Sequence, residues 1–347
     1  MKNLSQITDP VYSKVSYNFL DKFFVAMLKD KRDLPFVYLT LKITFTMMPL
    51  GILLFFPAIK GWLWLFCALA FTYLNTFTFK GPFGLMLHCT SHRAFFKRQY
   101  NFLNYYLPWI VAPFFGHSPE LYYAHHIGMH HPENNLKEDE SSTMPYQRNS
   151  IKAFTRYIGL FYLRGTYDLA AYFFRKKRNK LLTATIRGEL FFVFMCIALS
   201  FISFKATMVV FIIPYIVYRL VAFMGNWAQH AFVCAEQAAN PYRNSVTCIN
   251  TPYNHKCWND GYHISHHIKP AMHWTEHPEF FKNTINDYAK HDAIVFDGIH
   301  FLHIFIYLMR KRYDLLAKNF VNVGNRYNND QEVIALLKSR VEKIDFA

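Results

Sequence analysis

The chain has 347 residues, 52% of them hydrophobic and 19% aromatic, and carries a formal net charge of +15. Apolar residues gathered in long runs exclude a set of two or three ordinary water-soluble domains and indicate a membrane protein with basic aqueous parts. The Lys and Arg residues sit beside those runs, interleaved with aromatics and without a recognisable nucleic-acid module, which argues against nucleic acid and for anionic lipid headgroups as the partner.

The N-terminal stretch 1–17 is polar and lacks the apolar core and cleavage site of a secretory signal. Apolar segments follow at about 36–56, 62–79, 188–204 and 206–223. A span needs roughly 20 residues. The first two segments are joined around Pro57 to Gly61 and the last two around Lys205, so each pair is predicted to be a helical hairpin crossing the bilayer and returning. The expected fold is an all-α membrane protein forming a single domain over 1–347. Four transmembrane helices in two hairpins carry a cytosolic helical cap built from 88–187 and 226–323.

Fourteen Lys and Arg residues lie between His92 and Glu189, against Lys60 and Lys205 on the other side of the spans. The positive-inside rule then puts both termini and the cap in the cytoplasm, at a bacterial inner membrane or the endoplasmic reticulum. The segment 105–115, apolar but interrupted by Pro108 and Pro113, is expected to dip into the membrane without crossing it. Stretches 150–180 and 294–316 mix apolar residues with basic runs, as helices lying in the headgroup region do. Six cysteines show no C-x-x-C pairing, so disulfides are not expected.

Four tight clusters carry the chemistry: His88-x3-His92, His126-x3-His130-His131, Asn226-x3-His230 and His263-x2-His266-His267. Spacings of three and four stack side chains on one helix face, so each cluster can offer one or two ligands to a common metal. Neutral imidazole suits iron, copper, zinc and nickel. Nine histidines exceed the four ligands of a closed zinc site, which makes two metals the economical reading. The predicted topology, drawn without reference to the clusters, leaves all four on one membrane side. His125 adjoins His126 and would replace it if the register shifted by one. Glu133, Asp260 and Glu276 are the carboxylates nearest in sequence for orienting the imidazoles. No Glu-x-x-His is present, which argues against a carboxylate di-iron bundle. No Gly-rich dinucleotide fingerprint or His-Pro-Gly-Gly segment is present either, so electrons must come from another protein.

Over about 34–277 these clusters resemble the three histidine boxes of the integral-membrane fatty acid desaturase and hydroxylase superfamily. Asn226-Trp227-Ala228-Gln229-His230 is similar to the Asn-x3-His element of stearoyl-CoA-type desaturases, and Gly261 to His267 resembles their third box. The first box departs from that type, with three intervening residues where it has four. The resemblance implies four spans, a cytosolic cap and a narrow acyl tunnel. It also implies two irons on His88, His92, His126, His130, His131, His230, His263, His266 and His267, with Asn226 acting through a bound water. The implied reaction is O2-dependent desaturation of a fatty acyl chain, with electrons from an external donor such as cytochrome b5, ferredoxin or rubredoxin with its reductase.

A membrane hydroxylase or ketolase of fatty acids, sphingolipids, sterols or carotenoids is the alternative, because loss of a second hydrogen or return of oxygen separates the two outcomes. A metal transporter is the contrasting class. Its site would lie near the bilayer midplane among ionisable residues, and the expected spans carry almost none, with Arg219 near the end of the fourth. Trp227, Trp258 and Tyr262 are expected to pack or to line an acyl tunnel. Arg93, Lys97 and Arg98 fit either a phosphate-bearing head group or simple anchoring at the membrane face.

Overall fold

The computed structural model describes residues 1–13 and 16–345. It is 67% helical, with two four-residue strands, β1 (Val246–Ile249) and β2 (Ile294–Asp297). Among the described residues three helices are long and apolar enough to cross a membrane: Lys31–Leu53, Gly61–His92 and Asn179–Gln229. The chain is a membrane protein. Its packing resolves into two compact units, one of Ser13–Ile127 and Leu169–Leu220, the other of Met1–Tyr12, Gly128–Asp168 and Val221–Ala347.

The first of these, the membrane unit, holds most of the apolar helix. The first two long helices pack as a pair, with Trp64 Nε1 donating to the carbonyl of Leu54 at 3.1 Å. The second runs on well past 79, through Lys80 to His92, in spite of Gly81, Pro82 and Gly84. The third, at 51 residues, would be about 76 Å long if straight. It is not straight: Ser203 is extended at φ −157° and ψ 102°, two residues before Lys205. Across that break Phe192 stacks on Tyr215, and Tyr215 donates to Glu189 at 2.6 Å. The helix therefore doubles back on itself. Phe45, Trp62, Phe77 and Phe201 are each more than 70% exposed on this unit, a face for lipid rather than water.

Close packing here depends on glycine at two places. A Cβ at Gly188 would lie 1.7 Å from the Pro119 carbonyl oxygen, and one at Gly116, whose φ is +83°, would lie 2.2 Å from the Tyr215 nitrogen.

The second, polar unit is built around the strands. They pair in parallel with Val246 opposite Ile294 and Ile249 opposite Asp297. Because side chains alternate across a strand, Val246, Cys248, Ile294 and Phe296 enter one apolar core with Trp227, Ile304, Leu316 and Val333. Ile249 and Val295 enter a second core with Tyr262, Phe281 and Val321. A strand buried on both faces reads as a continuous apolar run. That is why Ile294 to Phe296, expected in an interfacial helix, is interior strand. The helix Ile151–Arg175 does present apolar side chains, with Leu163 and Tyr167 at least 70% exposed.

The buried Arg148 ties this unit together. Its guanidinium donates to the carbonyls of Ala231, Thr143, Met144, Tyr146, Arg340 and Glu342 at 2.6 to 3.3 Å. Burial lowers its pKa to about 10, which still leaves it charged at neutral pH.

Candidate metal centre

His263 and His267 lie four apart on the short helix His263–Ile268, with ring centroids 4.5 Å apart. His230 follows the last residue of the helix Ile213–Gln229, and His130 ends the helical turn His126–His130. These four, all in the polar unit, each bring one ring nitrogen within 4.8 Å of the others. His263 Nε2 is 3.1 Å from His230 Nε2 and 3.0 Å from His267 Nε2. The neighbours His131 and His266 turn to a different direction, because adjacent helical residues point about 100° apart, and their Nε2 atoms meet at 2.9 Å.

In the membrane unit, His88 and His92 stand one turn apart at the end of the helix Lys80–His92, with rings 5.2 Å apart. His126 joins them, its Nε2 3.1 Å from His92 Nε2. It is His126, not His125, that meets His92, and Tyr122 stacks on its ring at 5.3 Å.

The chemistry of the nest fits a cation. Two nitrogens bound at right angles to one ion at about 2.1 Å are about 3.0 Å apart, close to the spacings found between facing Nε2 atoms. Ligation also requires imidazole to be neutral. Burial first, then the His130 ring, lowers His230 to about 3. Burial and the surrounding His263, His131, His230 and His130 rings push His267 well below the usual imidazole range.

The second ring nitrogens of His130 and His230 are fixed as well. Asp139, buried, accepts from His130 Nδ1 at 2.7 Å, and Ser141 and Asn135 hold the carboxylate through Ser141 N and Oγ and Asn135 N. His230 Nδ1 donates to the Asn244 carbonyl at 3.0 Å. Each Nδ1 hydrogen is thereby assigned and the Nε2 lone pair is left for a metal. Asp139 and Asn244 have no helical spacing to their imidazoles, so no sequence pattern points to them. Asn226 spends both amide hydrogens on Ser141 O and Tyr157 OH, at 3.0 and 2.8 Å, which leaves Oδ1 as its acceptor.

The helix bearing His263, His266 and His267 is anchored from the N-terminal stretch. Asp9 is buried and accepts from Tyr262 OH at 2.6 Å, Asn254 Nδ2 at 3.0 Å and Asn250 N at 2.7 Å. Trp227 is packed among Tyr146, Phe154 and Tyr157 and donates to the Arg148 carbonyl at 2.9 Å. Arg93 pairs with Asp30 at 2.7 Å, and Lys97 Nζ donates to the Ala26 carbonyl at 2.7 Å. Both cations thus have partners within the chain.

Residues 62–298 match the family model described as fatty acid desaturase. The chain belongs to the fatty acid desaturase family. Neither curated proteins nor solved structures give a match to it. The matched span of this desaturase-family chain contains all nine clustered histidines and Asn226.

Proposed function

We propose that this desaturase-family chain introduces a double bond into a fatty acyl chain, as an acyl lipid or acyl-CoA, in an O2-dependent reaction. Two irons would be held by His88, His92, His126, His130, His131, His230, His263, His266 and His267, with Asn226 acting through a water. The observation that carries this reading is the nest of His130, His230, His263 and His267, buried or nearly so, inside a chain of this family. Bound iron would supply the activation of O2 that removal of hydrogen from an unactivated methylene demands.

The protein's own part is to hold and shield. Asp139 and Asn244 fix the tautomers of His130 and His230. Burial keeps His230 and His267 neutral and excludes bulk water from the nest. Three apolar helices, the last folded back at Ser203, support four crossings of the bilayer with cap and termini in the cytoplasm, at a bacterial inner membrane or the endoplasmic reticulum. Electrons would come from cytochrome b5, ferredoxin or rubredoxin with its reductase.

The test is lipid mass spectrometry with double-bond localisation on cells expressing the chain with a donor supplied, beside a His266→Ala control. New unsaturation absent from the control is the expected result and names the position. A gain of one oxygen would make the protein a hydroxylase instead. No change in any acyl lipid, with metal-loaded protein and a working donor, would overturn both readings.

A further inference from the structure

The second long helix carries an ionisable residue in its interior. Lys80 is 7% exposed, and its Nζ has no hydrogen-bond partner among the described residues. The ring of Phe115 lies 5.8 Å from it. Phe115 stacks on Phe83 at 4.3 Å, and Phe83 meets the edge of His117 at 6.0 Å. His117 is 3% exposed, and its Nδ1 also has no partner among the described residues. One pair of phenylalanines thus borders both unsatisfied polar groups, and Lys80 is close enough to act electrostatically on His117. Burial first, then the charges of Lys80 and Arg219, keeps His117 neutral, well below the usual imidazole range.

The carboxylate recorded in this region is already committed. Glu189 accepts from Ser118 Oγ at 2.7 Å and Tyr215 OH at 2.6 Å, and pairs with Arg219 at 3.2 Å. Glu189 is thus taken by Arg219, while Lys80 has no ion-pair partner among the described residues. An unpaired charge in an apolar interior is costly, so a buried cation with no partner among the described residues marks a candidate functional position. The position is next to the proposed chemistry: His117 faces Tyr122 at 5.9 Å, and Tyr122 stacks on His126.

We propose that Lys80, with His117, is a binding site for the carboxylate of an unesterified fatty acid. A carboxylate carries the single negative charge that Lys80 lacks, and its second oxygen can accept from a neutral imidazole N–H. A phosphate would bring more charge than one ammonium balances. The neighbouring rings of Phe83, Phe115 and Tyr218, the last 3.5 Å from that of His117, offer the apolar contacts an acyl chain needs. This goes beyond the acyl lipid or acyl-CoA of the proposed function by adding an unesterified acid to the chains the protein would take, and it rests on the acyl-oxidation reading only for its consequence.

The test measures binding without turnover. Full-length protein in detergent micelles, with no electron donor, is titrated with radiolabelled palmitic acid and with its methyl ester. The acid is expected to bind the wild type more tightly than the ester. Lys80→Met should lose about tenfold to a hundredfold in acid affinity, the worth of a charge-assisted hydrogen bond, with ester affinity unchanged. Lys80→Arg should keep the preference for the acid. Equal binding of acid and ester by the wild type, or wild-type acid affinity in Lys80→Met, would overturn the proposal.

Should Lys80→Met fail to fold, His117→Phe keeps a ring and removes the N–H. The same direction of loss is expected there, and unchanged acid binding would overturn the site. An acyl ester that is oxidised by a protein showing no Lys80-dependent acid binding would sink this site and leave the oxidation reading intact.

Discussion

The four-histidine nest of the polar unit and the His88, His92 and His126 triad of the membrane unit use the same ligand type but reach it differently. The triad takes two of its three imidazoles from one helix at a spacing of four, where backbone geometry alone sets the rings side by side. The nest gathers His130, His230 and the pair His263 and His267 from segments more than 30 residues apart in sequence. No local rule brings these into register. Hydrogen bonds do so: Asp139 to His130, Asn244 to His230, and Asp9 to Tyr262 at the start of the third segment. Imidazoles supplied by one helix need little further support, whereas imidazoles supplied by distant segments depend on a polar scaffold behind them.

The largest expected effect is at the base of that scaffold. Arg148 holds carbonyls from 143–146, just beyond Asp139, from Ala231, next to His230, and from the C-terminal segment. Arg148→Ala strips six carbonyl oxygens of a donor, at a cost of about 3–5 kcal/mol. A large drop in the melting midpoint checks it, and a small one would mean that water can replace the guanidinium.

Next is the carboxylate itself. Asp139→Ala should weaken metal binding by about tenfold to a hundredfold, measured as ions retained per chain against a competing chelator. Tyr122→Leu, which removes the ring stacked on His126, should retain metal close to the wild-type level. Equal losses in the two variants would break the distinction between helix-set and scaffold-set ligands.

The same distinction accounts for what could be read in advance. The histidine pairs were legible because helical spacing is a local property, and the choice of His126 over His125 is the one that spacing from His130 favours. Asp139 was not legible. Asn134 and Asn135 adopt left-handed conformations, at φ 49° and 61°, and the chain turns so that a carboxylate nine residues on from His130 meets its ring. Glu133, nearer in sequence, was the natural expectation. The long helices were legible from composition. The apolar run stops at 79, and the helix that carries His88 and His92 was expected to continue through Gly81, Pro82 and Gly84, as it does. Ile294 to Phe296 is too short for periodicity to separate buried strand from buried helix.

The smallest effects come from two helical glycines, one in each unit, and they should have opposite signs. At Gly188 a methyl group would meet backbone, the Pro119 carbonyl oxygen, which no rotamer change can relieve. Gly188→Ala is expected to cost about 1–3 kcal/mol, the usual penalty of overpacking. At Gly225, one residue before Asn226 in the helix Ile213–Gln229, nothing lies within 4 Å of the same methyl. Gly225→Ala removes backbone freedom from the unfolded chain and should stabilise by about 0.4–1 kcal/mol. Melting midpoints of the two variants in the same detergent provide the measurement. If Gly225→Ala also destabilised, space beside this helix would be needed for something other than packing. The water that Asn226 is proposed to hold would be the first occupant to test, by comparing metal retention in Gly225→Ala with that in Asn226→Ala.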